Sequence, residues 1–235
     1  MNGKRLRRFP FIAACFALAL AGCGGGQGSG GPSIEADGKI TPMEIFNSEE
    51  KQLVYLADNI GKDTPAQLYV FQGGKIVYRS NCMIPMRDIC DLSDDEIISL
   101  YQEREEEFVK SFPASDEDRV FRFDTEPTLK SVELSTDNSG NEVIGEKAFF
   151  GDFEYSILSS YDGGFVKAQE YGWNDEWQMR FDPYTKETSQ VFDAYFGGYQ
   201  FDGYGERESY LLLKVENPDV EFALDEVGTD GTTRD

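Results

Sequence analysis

Histidine is absent from the 235 residues. That gap excludes Ser-His and Cys-His nucleophilic systems, imidazole proton shuttles and histidine metal sites, because no other unperturbed side chain changes charge near neutral pH. Cations are scarce too: 22 Lys and Arg stand against 44 Asp and Glu, for a formal net charge of −22. Such a surface repels phosphates and anionic lipid headgroups, so nucleic acid is not an expected partner. Cysteine is limited to four residues, of which Cys15 and Cys23 lie near the start. A long apolar run is also missing. The stretch from Phe9 to Leu20 is apolar throughout, but it is shorter than the about 20 residues needed to cross a bilayer core.

What is present at the start has three parts. Met1-Asn2-Gly3-Lys4-Arg5-Leu6-Arg7-Arg8 carries four cations and no acid, the apolar run follows, and Leu20-Ala21-Gly22-Cys23 closes it. A cationic segment, a short apolar segment and small residues before a cut are the parts of a secretory signal. The last four residues resemble the lipobox of bacterial lipoproteins. The resemblance implies cleavage between Gly22 and Cys23, lipidation of Cys23, and a membrane partner held through that residue. Two acyl chains hold firmly, at about 0.8 kcal/mol per buried methylene. Residues 1–22 are therefore expected to be a signal peptide and residues 23–39 a lipidated cysteine and tether. The location implied is the extracytoplasmic face of a cell membrane. Loss of Lys4, Arg5, Arg7 and Arg8 moves the net charge from −22 to −26. Gly24-Gly25-Gly26-Gln27-Gly28-Ser29-Gly30-Gly31 cannot bury a core, and by chain statistics some 15 such residues hold a domain roughly 20 Å from the lipid.

Aromatics spread along the chain supply a core. Gln52-Leu53-Val54-Tyr55-Leu56 and Gln67-Leu68-Tyr69-Val70-Phe71 read as strands, the second apolar enough to be buried on both faces. Met43-Glu44-Ile45-Phe46 also reads as a strand. Gly73-Gly74 turns into Lys75-Ile76-Val77-Tyr78-Arg79, a hairpin signal. Ser93-Asp94-Asp95-Glu96 is a capping box with acids at the positive end of a helix dipole. The apolar stripe Ile97, Leu100, Tyr101, Phe108, Val109 and Phe112 continues that helix to Pro113, with Glu103, Glu105, Glu106 and Glu107 expected to face water. Short strands and turns follow, among them a turn at Asp182-Pro183. The expected fold class is α+β: mostly antiparallel β-sheet with one main amphipathic helix, in two small lobes over residues 40–113 and 118–227. Residues 228–235 read as a disordered tail.

A second resemblance rests on Tyr69-Val70-Phe71, Gly74-Lys75-Ile76, Leu92-Ser93-Asp94-Asp95-Glu96-Ile97-Ile98 and Phe192-Asp193-Ala194-Tyr195-Phe196-Gly197-Gly198-Tyr199. These stretches look like small surface lipoproteins of Gram-positive bacteria. That likeness implies location and no mechanism.

Candidate chemistry is thin. Cys82 and Cys90 could close a small loop as a disulfide in an exported protein, with two buried free thiols, or a metal site lacking other ligands, as the alternatives. Ser48-Glu49-Glu50-Lys51 matches S-x-x-K but lacks the partner motifs of penicillin-interacting enzymes. Asp137-Asn138-Ser139-Gly140-Asn141-Glu142 departs from calcium-loop spacing and reads as a polar turn. Trp173, Trp177, Tyr199 and Tyr204 sit near glycines and acids and are candidates for stacking on a glycan, although strand-core packing explains them better. No catalytic residue, metal site or cofactor emerges. The expectation is a non-catalytic binding or assembly module with a glycan or protein ligand in the cell envelope. The alternative is a carboxylate-dependent cell-envelope or glycan hydrolase, for which no acid pair stands out.

Overall fold

The computed structural model describes residues 38–111, 119–161, 164–172, 177–201 and 209–234. Its first half contains β1 (Lys39–Ile40), α1 (Pro42–Asn47), β2 (Gln52–Ala57), β3 (Pro65–Gln72), β4 (Lys75–Pro85), a 3-10 turn (Met86–Asp88) and α2 (Asp94–Ser111). Next come β5 (Arg119–Phe123), β6 (Thr128–Thr136), β7 (Val143–Gly151), β8 (Glu154–Tyr161) and β9 (Gly164–Gly172). The chain ends with β10 (Trp177–Val191), β11 (Ala194–Phe201), β12 (Ser209–Val215), β13 (Glu221–Phe222) and β14 (Thr232–Arg234).

The main sheet runs β14-β6-β4-β3-β2-β12-β11-β10-β7, and β7 returns to pair with β6. Eight strands therefore close into an antiparallel barrel, with β14 added in parallel beside β6. Closure leaves few bare strand edges, which would otherwise invite pairing with other chains. The seam is narrow, because β4 meets β6 only through Lys75 and Thr128. A separate sheet holds β5, β8 and β9, and β1 pairs in parallel with β13.

Side-chain alternation gives the barrel two apolar clusters. Val54, Tyr69, Phe71, Leu211 and Leu213 point inward, while Leu53, Tyr55, Leu68, Val70 and Leu212 point outward. Both faces of these strands are buried, so their sequence is nearly continuously apolar. α1 fills the interior: Phe46 lies 5.1 Å from the Phe71 ring, 5.5 Å from Phe150 and 5.8 Å from Phe181. α2 covers the outward cluster. Its Ile97 and Tyr101 are fully buried, and the Tyr101 hydroxyl donates to the Ala66 carbonyl at 2.6 Å.

This architecture corrects the expected fold class: it is all-β, not α+β, because α2 is a cover on a closed barrel and α1 a short plug. The main sheet draws strands from both expected lobes, since β2 pairs with β12 and β4 with β6. The stretch Met43-Glu44-Ile45-Phe46 is helix, not strand. Thr41 caps α1, Pro42 takes its first turn, and the Glu44 carboxylate accepts from the Thr41 amide at 2.8 Å. That is the same capping chemistry as at Ser93, whose amide and hydroxyl donate to Glu96 at 2.9 and 2.7 Å.

Asp182-Pro183 does not turn the chain; β10 runs through it, with a register shift between Phe181 and Thr185 that tolerates the missing proline donor. The supposed tail is ordered as far as Arg234, where Thr232, Thr233 and Arg234 pair with Val132, Glu133 and Leu134. Glu105 does not face water alone. Its carboxylate accepts from the Tyr78 hydroxyl at 2.8 Å and from the Asn81 amide, covering a β4 edge donor.

The Gly73-Gly74 hairpin forms with φ of 55° and 74°, a left-handed pair suited to glycine. In β11 the glycines answer a different need: a Cβ on Gly198 would lie 1.9 Å from the Leu211 carbonyl oxygen.

Candidate functional site

On β7 the inward positions are Glu146, Ala148 and Phe150. Glu146 pairs in register with Leu134 of β6 and Phe181 of β10, so a carboxyl group occupies a place where its neighbours are apolar. It is 1% exposed. The chain that leaves β13 brings Asp225, 2% exposed, against it. The Asp225 amide donates to Glu146 Oε2 at 3.2 Å, and Asp225 Oδ2 accepts from the Met43 amide at 3.0 Å. Glu146 Oε1 receives no donor among the described residues, and the two carboxyl groups lie within hydrogen-bonding reach.

Burial pushes the Glu146 carboxyl up to about 9, and the adjacent Asp225 charge pushes in the same direction. Tyr199 of β11 closes the group. Its buried hydroxyl donates to the Ile40 carbonyl. Burial first, then the charges of Glu146, Asp225 and Glu44, raise its pKa well above the ordinary value.

Two clefts meet at residues 223–226. One, of about 450 Å³, is lined by Lys39, Thr41, Glu44, Asp225 and Asp230. The other, of about 580 Å³, is lined by Glu142, Val143, Pro183, Glu221 and Asp225. Glu146 lines neither. Glycosidase chemistry needs two carboxyl groups about 5–10 Å apart, with a sugar or water between them. Glu146 and Asp225 instead lie side by side, both almost wholly buried, with only Asp225 touching the clefts and no space between them for a sugar or a water. Among the described residues no group of three or more Asp, Glu, Cys or His is placed to hold a metal ion.

The residues singled out from sequence are not brought together. Gly22, Cys23, Trp173 and Tyr204 lie outside the described residues. Trp177 is half-buried on β10, stacked on Tyr69 at 5.9 Å and 14° and packed against Phe123 and Phe150. Tyr199 is fully buried and offers no face to a sugar ring, because its position alternates inward on β11.

Cys82 and Cys90 are free thiols, contrary to the expected disulfide. The end of β4 and the 3-10 turn carry them to different neighbours: Cys82 donates to the Tyr101 carbonyl at 3.7 Å, Cys90 to the Met86 carbonyl at 3.0 Å. Burial raises both thiols, Cys82 to about 11, which keeps them protonated and weakly reactive.

Ser48 Oγ accepts from the Glu50 amide and from Gln52, and Lys51 pairs with Asp95. The Asp137 carboxylate accepts from Ser139 and from the Asn141 and Glu142 amides, the bonds of a polar turn.

Sequence reasoning missed the Glu146–Asp225 pair. Reading Glu146, Ala148 and Phe150 as one strand face would have placed a carboxyl inside, but its partner lies 79 residues away. No protein-family model matches the chain, and no curated protein or solved structure matches it either.

Proposed function

We propose that the protein is held at the extracytoplasmic face of a cell membrane through lipidated Cys23 and serves there as a non-catalytic binding or assembly module. The observation that carries the location is Leu20-Ala21-Gly22-Cys23 directly after a cationic segment and a short apolar one, with a glycine-rich tether following. Support for a non-catalytic role comes from the absence of histidine, and from a barrel interior filled by the interlocked rings of Phe46, Phe71, Phe150 and Phe181. A glycan or protein ligand would then meet the outer surface or the clefts beside Asp225. A carboxylate-dependent hydrolase is less well supported, because Glu146 and Asp225 are buried side by side, with the Asp225 amide donating to Glu146 Oε2.

Mass spectrometry of the native amino-terminal peptide tests the anchor. The expected result is a diacylglyceryl-modified Cys23 at the first position, and Cys23→Ala should move the protein from the membrane to the soluble fraction. An unmodified terminus at another residue would overturn the reading. For the module, a glycan substrate turned over by the purified protein and lost in a carboxylate variant would do the same.

A further inference from the structure

The segment after β13 is fastened at few points. β13 pairs with β1 through two residues, β14 pairs with β6 through three, and turns with positive φ at Gly228 and Gly231 lie between them. Midway, the Asp225 amide donates to the Glu146 carboxyl, tying this segment to β7, while Asp225 Oδ2 ties it to the first turn of α1. Two carboxylates in contact, each almost wholly buried, repel strongly in a medium of low dielectric. A single proton between them removes one charge and provides the donor that Glu146 Oε1 otherwise lacks.

We infer that Glu146 and Asp225 share one proton, and that this carboxyl–carboxylate pair is a latch fastening residues 223–234 across the barrel and opening when the proton is lost. On opening, one proton passes to hydroxide and two adjacent carboxylates remain. Their repulsion drives Asp225 outward towards the clefts it already lines.

The other ionisable groups here are Tyr199 from β11 and Glu44 from α1. Lys39, Glu226 and Asp230 share a cleft with Asp225. From β6 and β10 the facing register partners are the apolar Leu134 and Phe181. The raised Glu146 value places the loss of the proton on the alkaline side of neutrality.

Amide hydrogen exchange of Thr232, Thr233 and Arg234 tests the latch in the purified protein. Rates are compared with those of Glu146→Gln at the same pH, so that base catalysis of exchange cancels. Glutamine keeps a donor towards Asp225 and cannot ionise. The ratio of wild-type to variant rates should rise at least about tenfold between about pH 7 and pH 10, the linkage of one pKa unit. A ratio independent of pH overturns the proposal.

If the variant does not fold, carbon-13 NMR of the wild-type side-chain carboxyls decides. One glutamate should stay protonated at neutral pH, and its titration should coincide with faster exchange in β14. Ionisation of every glutamate in the ordinary carboxylate range would overturn the proposal, as would a late titration that leaves β14 exchange unchanged.

Discussion

Strands β2, β3 and β12 separate two apolar clusters that are organised differently. Inside the barrel, aromatic rings form a connected network that includes edge-to-face pairs, as with Phe46 and Phe150 at 90° and Tyr199 and Phe222 at 84°, and a stacked pair, Tyr69 and Trp177 at 14°. Outside, under α2, the cluster is mainly aliphatic: Leu53, Leu68, Val70, Ile84, Ile89 and Ile97 surround Tyr55, Tyr101 and Phe196. Rings that pack edge to face gain from their quadrupoles as well as from area. A helix laid on a sheet presents a broad shallow seam, which branched aliphatic side chains suit. The polar groups follow the same division. The inner region carries the carboxyl pair, whereas the outer one carries two protonated thiols and the Tyr55 hydroxyl, which has no partner among the described residues. The interior is therefore where the fold places both its aromatic network and its buried carboxyl pair.

The largest expected effect is at the plug. Phe46→Ala should cost about 3–5 kcal/mol, the usual range for a buried phenylalanine, read from denaturant unfolding. A loss no greater than that of Tyr101→Phe would reverse the ranking of the two clusters.

Next is the dependence of stability on pH. The folded state holds Glu146 protonated up to about 9, against an ordinary value of 4.5, so between these limits the folded chain binds more protons than the unfolded one. The contribution of this group is fully present below the ordinary value and is lost as pH rises through the folded one. Glu146→Gln should flatten the resulting decline in urea midpoint across that window. An unchanged slope would assign the pH sensitivity to other groups.

Smaller effects belong to the outer cluster. Tyr101→Phe removes the 2.6 Å bond to the Ala66 carbonyl, for a loss of about 1 kcal/mol. Tyr55→Phe should be neutral or stabilising, because its hydroxyl is buried without a partner among the described residues. A destabilisation equal to that of Tyr101→Phe would show that the Tyr55 hydroxyl is bonded after all. The smallest effect is that of reductant. Since Cys82 and Cys90 are free, the unfolding midpoint should not move, and a clear drop would restore the disulfide.

Local chemistry made some elements legible. The Gly73-Gly74 turn, the Ser93 capping box and the two-sided burial of β3 depend on residues close in the chain, and they form as read. α1 was also legible in principle: Thr41-Pro42-Met43-Glu44 carries a cap, a first-turn proline and the reciprocal glutamate, but its alternating apolar residues imitate a strand. β10 deceived in the opposite direction, since Pro183 looks like a stop and becomes a bulge when flanking strands pair with both sides. β14 could not be foreseen from its own polar residues, because its stability comes from the edge of β6. The candidate site was hidden for a similar reason. With 44 acids in the chain, only the closure of the barrel selects Glu146 and Asp225.

The amino-acid sequence alone determined the acidic character, the absence of imidazole chemistry, the turns and caps, and the alternation that makes strands two-faced. Each of these follows from side-chain type and short-range geometry. Barrel closure, the pairing of β14 and the meeting of two carboxyl groups were decided only in three dimensions. They rest on contacts between residues far apart in the chain, whose cost or benefit exists only once the sheet has curved round to bury them.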